Sequence, residues 1–389
     1  MQVPLLTTSV TEAQRAAVRD WWTSFEEHSS ALIELFQTGQ SAISDLSAWM
    51  AKHLGAIHPD LMWEFGRGQT RSFQLTITPE VRQDLRPVVT FLLAAAPDLP
   101  EWEFHGYRPP VSFEDLGLIA DQLCGWADLS AISVQFSPSE HRRIDLTYHL
   151  RFDEDANDAV EKGFLLTTPL LGERNLERWV GTVSAVPNAE QGETSLKAAR
   201  REFARHQRMA TAEDPAPYSV GVGEADWILV ELQQEEQEDY AFKDDLVVSP
   251  FSSQELFEAL HIGRDAFYSE RFSASGETFL FLKTDGSAPD TSGATFSGRD
   301  ELEDVLIEAL TDEGLGTVIG GGTGLRYSYV DLVVTDLEAA INLMKEVLGG
   351  VKISSRSWFL FYDADLQAEW TGVYDDTPIP LLFDTQLPN

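Results

Sequence analysis

The sequence predicts an α+β protein built as two α/β-sandwich domains, and three observations carry that prediction. A chain of 389 residues is too long for one ordinary core. A hydrophobic fraction of 43%, with 22 Phe and 10 Trp, supplies ample material for packed interiors. Helix-period and strand-period segments also alternate along the chain in two recurring orders.

Residues 11–54 carry helical spacing. In "TEAQRAAVRDWWTSFEEHSSALIELF", Ala17, Trp21, Phe25, Leu32 and Phe36 recur at intervals of four and seven, an amphipathic stripe. Thr11 is a candidate N-cap, with Gln14 three residues on as in a capping box. "SAISDLSAWMAKHLGAI" continues as a second helix, begun near Ser41 or Ser44 and closed near Gly55. "LMWEFGRGQTRSFQLTITP" reads as a β-hairpin around a glycine-containing turn. "TPEVRQDLRPVVTFLLAAAP" is the next helix, with Thr78 as its cap, Pro79 in its first turn, Pro87 placed to kink it and Pro97 closing it. "EWEFHGYRPP" is a strand stopped by Pro109 and Pro110, which cannot donate to a ladder.

The order strand, strand, helix, strand then recurs. "AISVQFSP" and "RIDLTYHLRF" form a hairpin, "DANDAVEKGFLLTTPLLG" a helix and "LERWVGTVSAVP" a closing strand, with "FEDLGLIADQLCGW" as the linking helix. The repeat is one of pattern, not of residue identity. Residues 1–187 are expected to form an N-terminal domain of repeated ββαβ units behind a helical N-terminus. Residues 188–217 are expected to be a helical connector and linker, whose Arg200, Arg201, Arg205 and Arg208 dock on the acidic body. Residues 218–389 form the second domain. Its strand "EADWILVEL" leads into "ELQQEEQEDYAFKDD", which sets seven carboxylates against one lysine and reads as an exposed loop or edge. From Glu277 the order is β-α-β-β-α-β, the ferredoxin-like arrangement, with "GGGTG" at Gly320–Gly324 as a turn between strands.

The net charge is −36, from 64 acidic and 28 basic residues. Such a surface repels nucleic acid and anionic membranes, because both require Lys and Arg. No run approaches a membrane span, and the N-terminus lacks the pattern of a secretory signal. The lone Cys124 permits neither an internal disulfide nor a Cys-based zinc site. A cytoplasmic location is the expectation.

Chemistry-bearing patterns are few. Alternation in "WEFHGY" sets Glu103, His105 and Tyr107 on one strand face, with Arg108 next to them. These four are the candidate cleft residues, although no nucleophile or metal set accompanies them. "GGGTG" lacks the Lys-Ser/Thr ending of a phosphate loop. "YVDLVVTDLEAAINLMKEVLGG" looks superficially like the opening of glyoxalase-type metal enzymes, but Ser328, Tyr329 and Val330 stand where that pattern has its histidine. The other histidines show no ligand spacing, so no metal, cofactor or catalytic residue is assigned. The candidate binding surface is the acidic run: Glu235, Glu236, Glu238, Asp239, Asp244 and Asp245.

The segments "WWTSF", "WEFG", "LTITPE", "AAAPDLPEWEFHGYRPP" and "LLGERNLERWVGTV" together resemble a bacterial family known as a domain of unknown function, over residues 15–187. The resemblance implies scaffold positions at Trp63, Gly66, Pro97, Trp102, Pro109, Pro110, Gly172 and Glu173, and no catalytic residue. The second half, with "SERFSASGETF" and "GLGTVIGGGTGLRYSYVDLVVTD", resembles segments of bacterial proteins that neighbour toxin systems, immunity-type proteins among them. Charge and resemblance together lead to the expectation of a non-enzymatic, acidic, cytoplasmic binding protein. Its partner would be a basic protein, and an immunity-like inhibitor of a basic toxin is the concrete form. Two alternatives stand beside it: an enzyme with a cleft site near His105, and a self-assembling structural module.

Overall fold

A computed structural model describes residues 9–38, 45–190, 194–211, 218, 227–262, 266–286 and 298–382. Helices and strands are mixed throughout, and three separate sheets form. Among the described residues no helix is long and apolar enough to cross a membrane.

The first unit opens with α1 (Glu12–Thr38) and α2 (Leu46–His53). Thr11 Oγ1 accepts from the Gln14 N–H, and Gln14 Oε1 accepts in return from Thr11 N, which closes a capping box. Asp45 caps α2 by accepting from the Ala48 N–H at 2.9 Å; Ser41 and Ser44 lie outside the described residues. Then come β1 (Met62–Arg67), β2 (Phe73–Thr78), α3 (Arg86–Ala94) and β3 (Trp102–His105). β1 and β2 are antiparallel, and β3 runs parallel to β2. Trp21, Trp22, Phe25 and Leu32 of α1 bury their stripe against Leu75, Ile77, Leu92 and Trp102. The helix expected from Thr78 begins later, at Arg86. Thr78 Oγ1 accepts from the Glu80 N–H in a local turn, Glu80 takes φ 51°, and Pro87 falls in the helix's first turn, where its missing N–H costs nothing.

The second unit holds α4 (Phe113–Ile119), β4 (Ile132–Pro138), β5 (Ile144–Leu150), α5 (Ala156–Leu171), α6 (Glu173–Trp179), β6 (Val180–Val186), β7 (Thr194–Ser195) and α7 (Leu196–Thr211). β4 and β5 are antiparallel and β6 is parallel to β5, the same connection as in the first unit. The sheet order is β6-β5-β4-β7. This sheet has its own core of Val134, Leu146, Tyr148, Leu166 and Trp179, to which α7 adds Leu196, Ala199 and Phe203. The segment expected to be a connector is therefore partly an element of this core.

The third unit contains β8 (Ile228–Glu231), β9 (Leu246–Phe251), α8 (Gln254–Phe257), α9 (Ser269–Phe272), β10 (Thr278–Asp285), α10 (Arg299–Asp312), β11 (Gly316–Gly324), β12 (Tyr327–Val334), α11 (Leu337–Val351), β13 (Ser357–Phe361) and β14 (Trp370–Gly372). They build one seven-stranded antiparallel sheet, β14-β13-β10-β12-β11-β9-β8. Leu302, Leu306, Ala340, Met344 and Leu348 of α10 and α11 cover one face. The other face is aromatic, with Phe251, Phe257, Phe281, Tyr329, Trp358 and Tyr362.

Gly320–Gly324 is not a turn; it is the second half of β11, and most of it is buried. A Cβ on Gly320 would meet the Phe251 ring, one on Gly322 the Leu246 side chain, and one on Gly324 the Asp245 carboxylate. The glycines let β9 and its large side chains lie close against β11. Gly298 precedes α10 in extended backbone.

Candidate functional site

Glu103 and His105 do share the polar face of the first sheet, beside Gln74 and Thr76 of β2. Glu103 is fully engaged. It accepts from the Gln69 and Thr70 N–H groups and from Thr70 Oγ1. Burial opposes its charge, but these hydrogen bonds outweigh that and hold its carboxyl down to about 2. His105 Nε2 is buried without a hydrogen-bond partner, 3.6 Å from Glu103 Oε1. A cleft of about 750 Å³ opens on the same side of this sheet, lined in part by Glu64, Gln69, Gln74, Asp115 and Arg200; His105 is not in its wall.

Tyr107 leaves that face. It lies beyond the end of β3, and its hydroxyl donates to Asp365 of the third unit at 3.0 Å. Arg108 turns to Glu80 at 2.6 Å and Glu64 at 3.1 Å, while its N–H donates to Glu173 at 2.7 Å. The four residues grouped by alternation thus divide among three sets of partners, because period-2 alternation ends where the strand ends.

What Tyr107 joins is a charged seam between the three units. Arg178 of α6 sits against Asp365 and lies 3.0 Å from Glu270, with its guanidinium over the rings of Tyr107 and Tyr268. Arg86 of α3 stacks 3.7 Å from the Tyr107 ring centre and pairs with Glu177 at 2.5 Å. Burial pushes the Glu177 carboxyl up to about 7 against the opposing pull of Arg86. Burial and the neighbouring Asp365 push Asp363 up to about 6. Ser9 adds a strut from the other end of the chain, its hydroxyl donating to Glu369 at 2.6 Å. The seam acts as a fastening: Arg86 and Arg178 each face carboxylates of another unit.

The acidic run after β8 splits in two. Glu231, Glu235, Glu236 and Glu238 are exposed, and their carboxylates have no partner among the described residues. The second part turns inward. Asp239 accepts from Tyr327 Oη at 2.5 Å and pairs with Arg356 at 3.0 Å. Asp245 is fully buried and accepts from the Arg326 N–H at 2.8 Å, the Tyr327 N–H at 2.9 Å and the Tyr329 hydroxyl. Asp244 remains exposed between them. Of the six residues read as one binding surface, Asp245 is therefore excluded from any surface and Asp239 is occupied by the chain itself. The physical reason is that the run's only lysine, Lys243, and two tyrosines of β12 draw the segment against the sheet.

Lys243 anchors a group that sequence reasoning missed. Its Nζ is buried against Asp331 and 3.2 Å from His261 Nε2, with the Phe281, Tyr329 and Tyr362 rings around it. Tyr362 also donates to Asp331, whose Oδ2 is buried without a partner. Burial lowers the Lys243 ammonium against the opposing pull of Asp331. Burial and then the Lys243 charge lower His261 to about 3, so the imidazole is neutral. The only hint in the sequence was a lone aspartate inside "SYVDLVV", an otherwise apolar strand.

Among the described residues no three His, Cys, Asp or Glu side chains are grouped so as to hold a metal ion. At β8 the exposed carboxylates lie next to exposed apolar side chains, Trp227 and Leu229. Comparison with known proteins gives no match to any protein-family model, curated protein or solved structure.

Proposed function

We propose that this chain is a non-enzymatic, acidic binding protein of the cytoplasm whose partner is a basic protein, with an immunity-like inhibitor of a basic toxin as the concrete form. One observation carries the reading: many of the chain's cations face its own carboxylates, so the outer surface keeps the charge. Arg86, Arg108, Arg142, Arg178, Arg326 and Arg356, and Lys243, all face Asp or Glu of this chain. What remains outside includes the exposed Glu231, Glu235, Glu236 and Glu238 on a chain of net charge −36. Such a field attracts a cationic partner from a distance and speeds its arrival, while apolar contacts at the interface supply the lifetime.

We read the third unit as ferredoxin-like at its centre. Its strands β13-β10-β12-β11, with two helices on one face, follow the order expected of that arrangement, and β9, β8 and β14 widen it.

The test is affinity capture at low salt, identification of what is held, and reconstitution with the purified partner. The expected result is a basic protein, released by salt, whose own activity is suppressed by the chain. Retention of no basic protein at about 50 mM salt, where charge attraction is least screened, contradicts the reading.

A further inference from the structure

β8 is the last strand of the seven-stranded sheet, and among the described residues no strand pairs with its outer edge. The ladder with β9 settles which backbone groups that edge offers. Val230 stands opposite Ser249, and the Leu232 N–H donates to the Val247 carbonyl at 2.8 Å. Backbone groups alternate sides along an antiparallel strand, so the N–H and C=O of Leu229 and Glu231 point away from β9, to the open edge. Side chains alternate between faces in the same way. Ile228 and Val230 pack on the aromatic core, whereas Leu229 is 65% exposed and Trp227, just before the strand, 50% exposed. Unpaired amides beside two exposed apolar side chains form a template for another strand.

The charge around the template selects the occupant. Glu231 lies on the edge itself, and the exposed Glu235, Glu236 and Glu238 follow it. A second copy would bring another surface of net charge −36 to this edge, and like fields repel. A strand carrying Lys or Arg meets the opposite situation. We propose that the outer edge of β8 is the docking site for an extended basic segment of a protein partner. The segment adds to the sheet as a further strand, with apolar residues beside Trp227 and Leu229 and, further along the same face, cations beside Glu231 and the glutamates that follow. This rests on the reading above that the partner is a basic protein.

The test uses the full chain and a synthetic peptide of about ten residues, a strand's length, whose one face carries two Val and then two Lys at alternate positions, with Thr between them. Controls are the same pattern with Glu for Lys, and the Val-Lys peptide with a central proline. The expected result is binding by the basic peptide alone, with hydrogen exchange slowed at the Leu229 and Glu231 amides. Leu229→Pro removes one outward N–H and no β8–β9 hydrogen bond, so it weakens binding about tenfold while thermal unfolding stays near wild type. Leu229→Lys, at an exposed side chain, gives a comparable loss should the proline disturb the strand. Glu235→Gln/Glu236→Gln/Glu238→Gln weakens binding at low salt and leaves the pattern of protection unchanged.

Protection at other amides, or equal binding by the acidic or proline-bearing peptide, overturns the edge proposal and leaves the basic-partner reading standing. So does an edge already protected in the free chain. Absence of peptide binding overturns the edge proposal as well; if low-salt capture also retains no basic protein, both readings fall together.

Discussion

Within "ELQQEEQEDYAFKDD" two stretches of similar composition meet opposite fates. The glutamates from Glu231 to Glu238 stay exposed, and their carboxylates have no partner among the described residues. Asp239 to Asp245 folds back against the sheet, where Asp245 gathers three donors and Lys243 enters an aromatic pocket. Charge alone does not separate the two. The inner stretch has partners waiting on distant strands, namely the hydroxyls of Tyr327 and Tyr329 and the carboxylate of Asp331, and the outer carboxylates have none among the described residues. A run of carboxylates is thus a mixture of structural and free charge, and only the free part is available to another molecule.

The largest expected effect comes from breaking the inner stretch. Asp245→Ala strands two backbone N–H groups and a tyrosine hydroxyl in the interior and should cost about 3–5 kcal/mol in denaturant unfolding. Glu236→Ala, eight or so residues away on the exposed side, should stay within about 0.5 kcal/mol. Equal effects at the two positions would erase the distinction between inner and outer charge.

Next in size is Lys243→Met, which leaves Asp331 buried without its cation and should destabilise by about 3 kcal/mol. Adding Asp331→Leu removes the stranded charge, so the double variant should be more stable than Lys243→Met alone. A double variant no more stable than the single one would show that the pair is not coupled.

The smallest of the three effects is on pH dependence. His261 is lowered from its ordinary value of 6.5 to about 3, so the unfolded chain binds more protons in that window and stability rises with pH through it. Glu303 is raised by burial to about 7, so the folded chain holds the extra proton between about 4.5 and 7 and stability falls with rising pH there. The two slopes oppose each other between about 4.5 and 6.5. Glu177 and Asp363, raised to about 7 and about 6, fall in the same window, so Glu303→Gln removes one falling contribution and should make the slope of unfolding free energy against pH more positive than in the wild type, by at most about 1.4 kcal/mol per pH unit. An unchanged profile would show that Glu303 is not held protonated in the fold.

Much of the architecture was legible because it is written in local periodicity. The stripe Trp21, Phe25, Leu32 marks α1, and the repeated hairpin-helix-strand order appears as two sheets with the same connection. β9 escaped notice because "LVVSPF" carries a proline and no clean alternation, and a strand between two neighbours need not alternate. "GGGTG" misled because glycine signals a turn locally, whereas here it answers Phe251 and Leu246 on the neighbouring strand. The candidate sites were harder. Tyr107 finds Asp365 at a separation of 258 residues, and Asp245 finds Tyr329 at 84. No spacing rule reaches that far. Exposed charge was read correctly at Glu235, Glu236 and Glu238, where nothing distant intervenes.

The central claim is that the outer carboxylates, and not the inner ones, recruit a basic partner. The most direct measurement is the association rate of the captured basic protein across ionic strength, with wild type beside Glu231→Gln/Glu235→Gln/Glu236→Gln/Glu238→Gln. The wild-type rate should fall steeply as salt rises, and the variant should fold normally, bind more slowly at low salt and show a flatter salt dependence. Identical rates and identical salt dependence for the two proteins would contradict it.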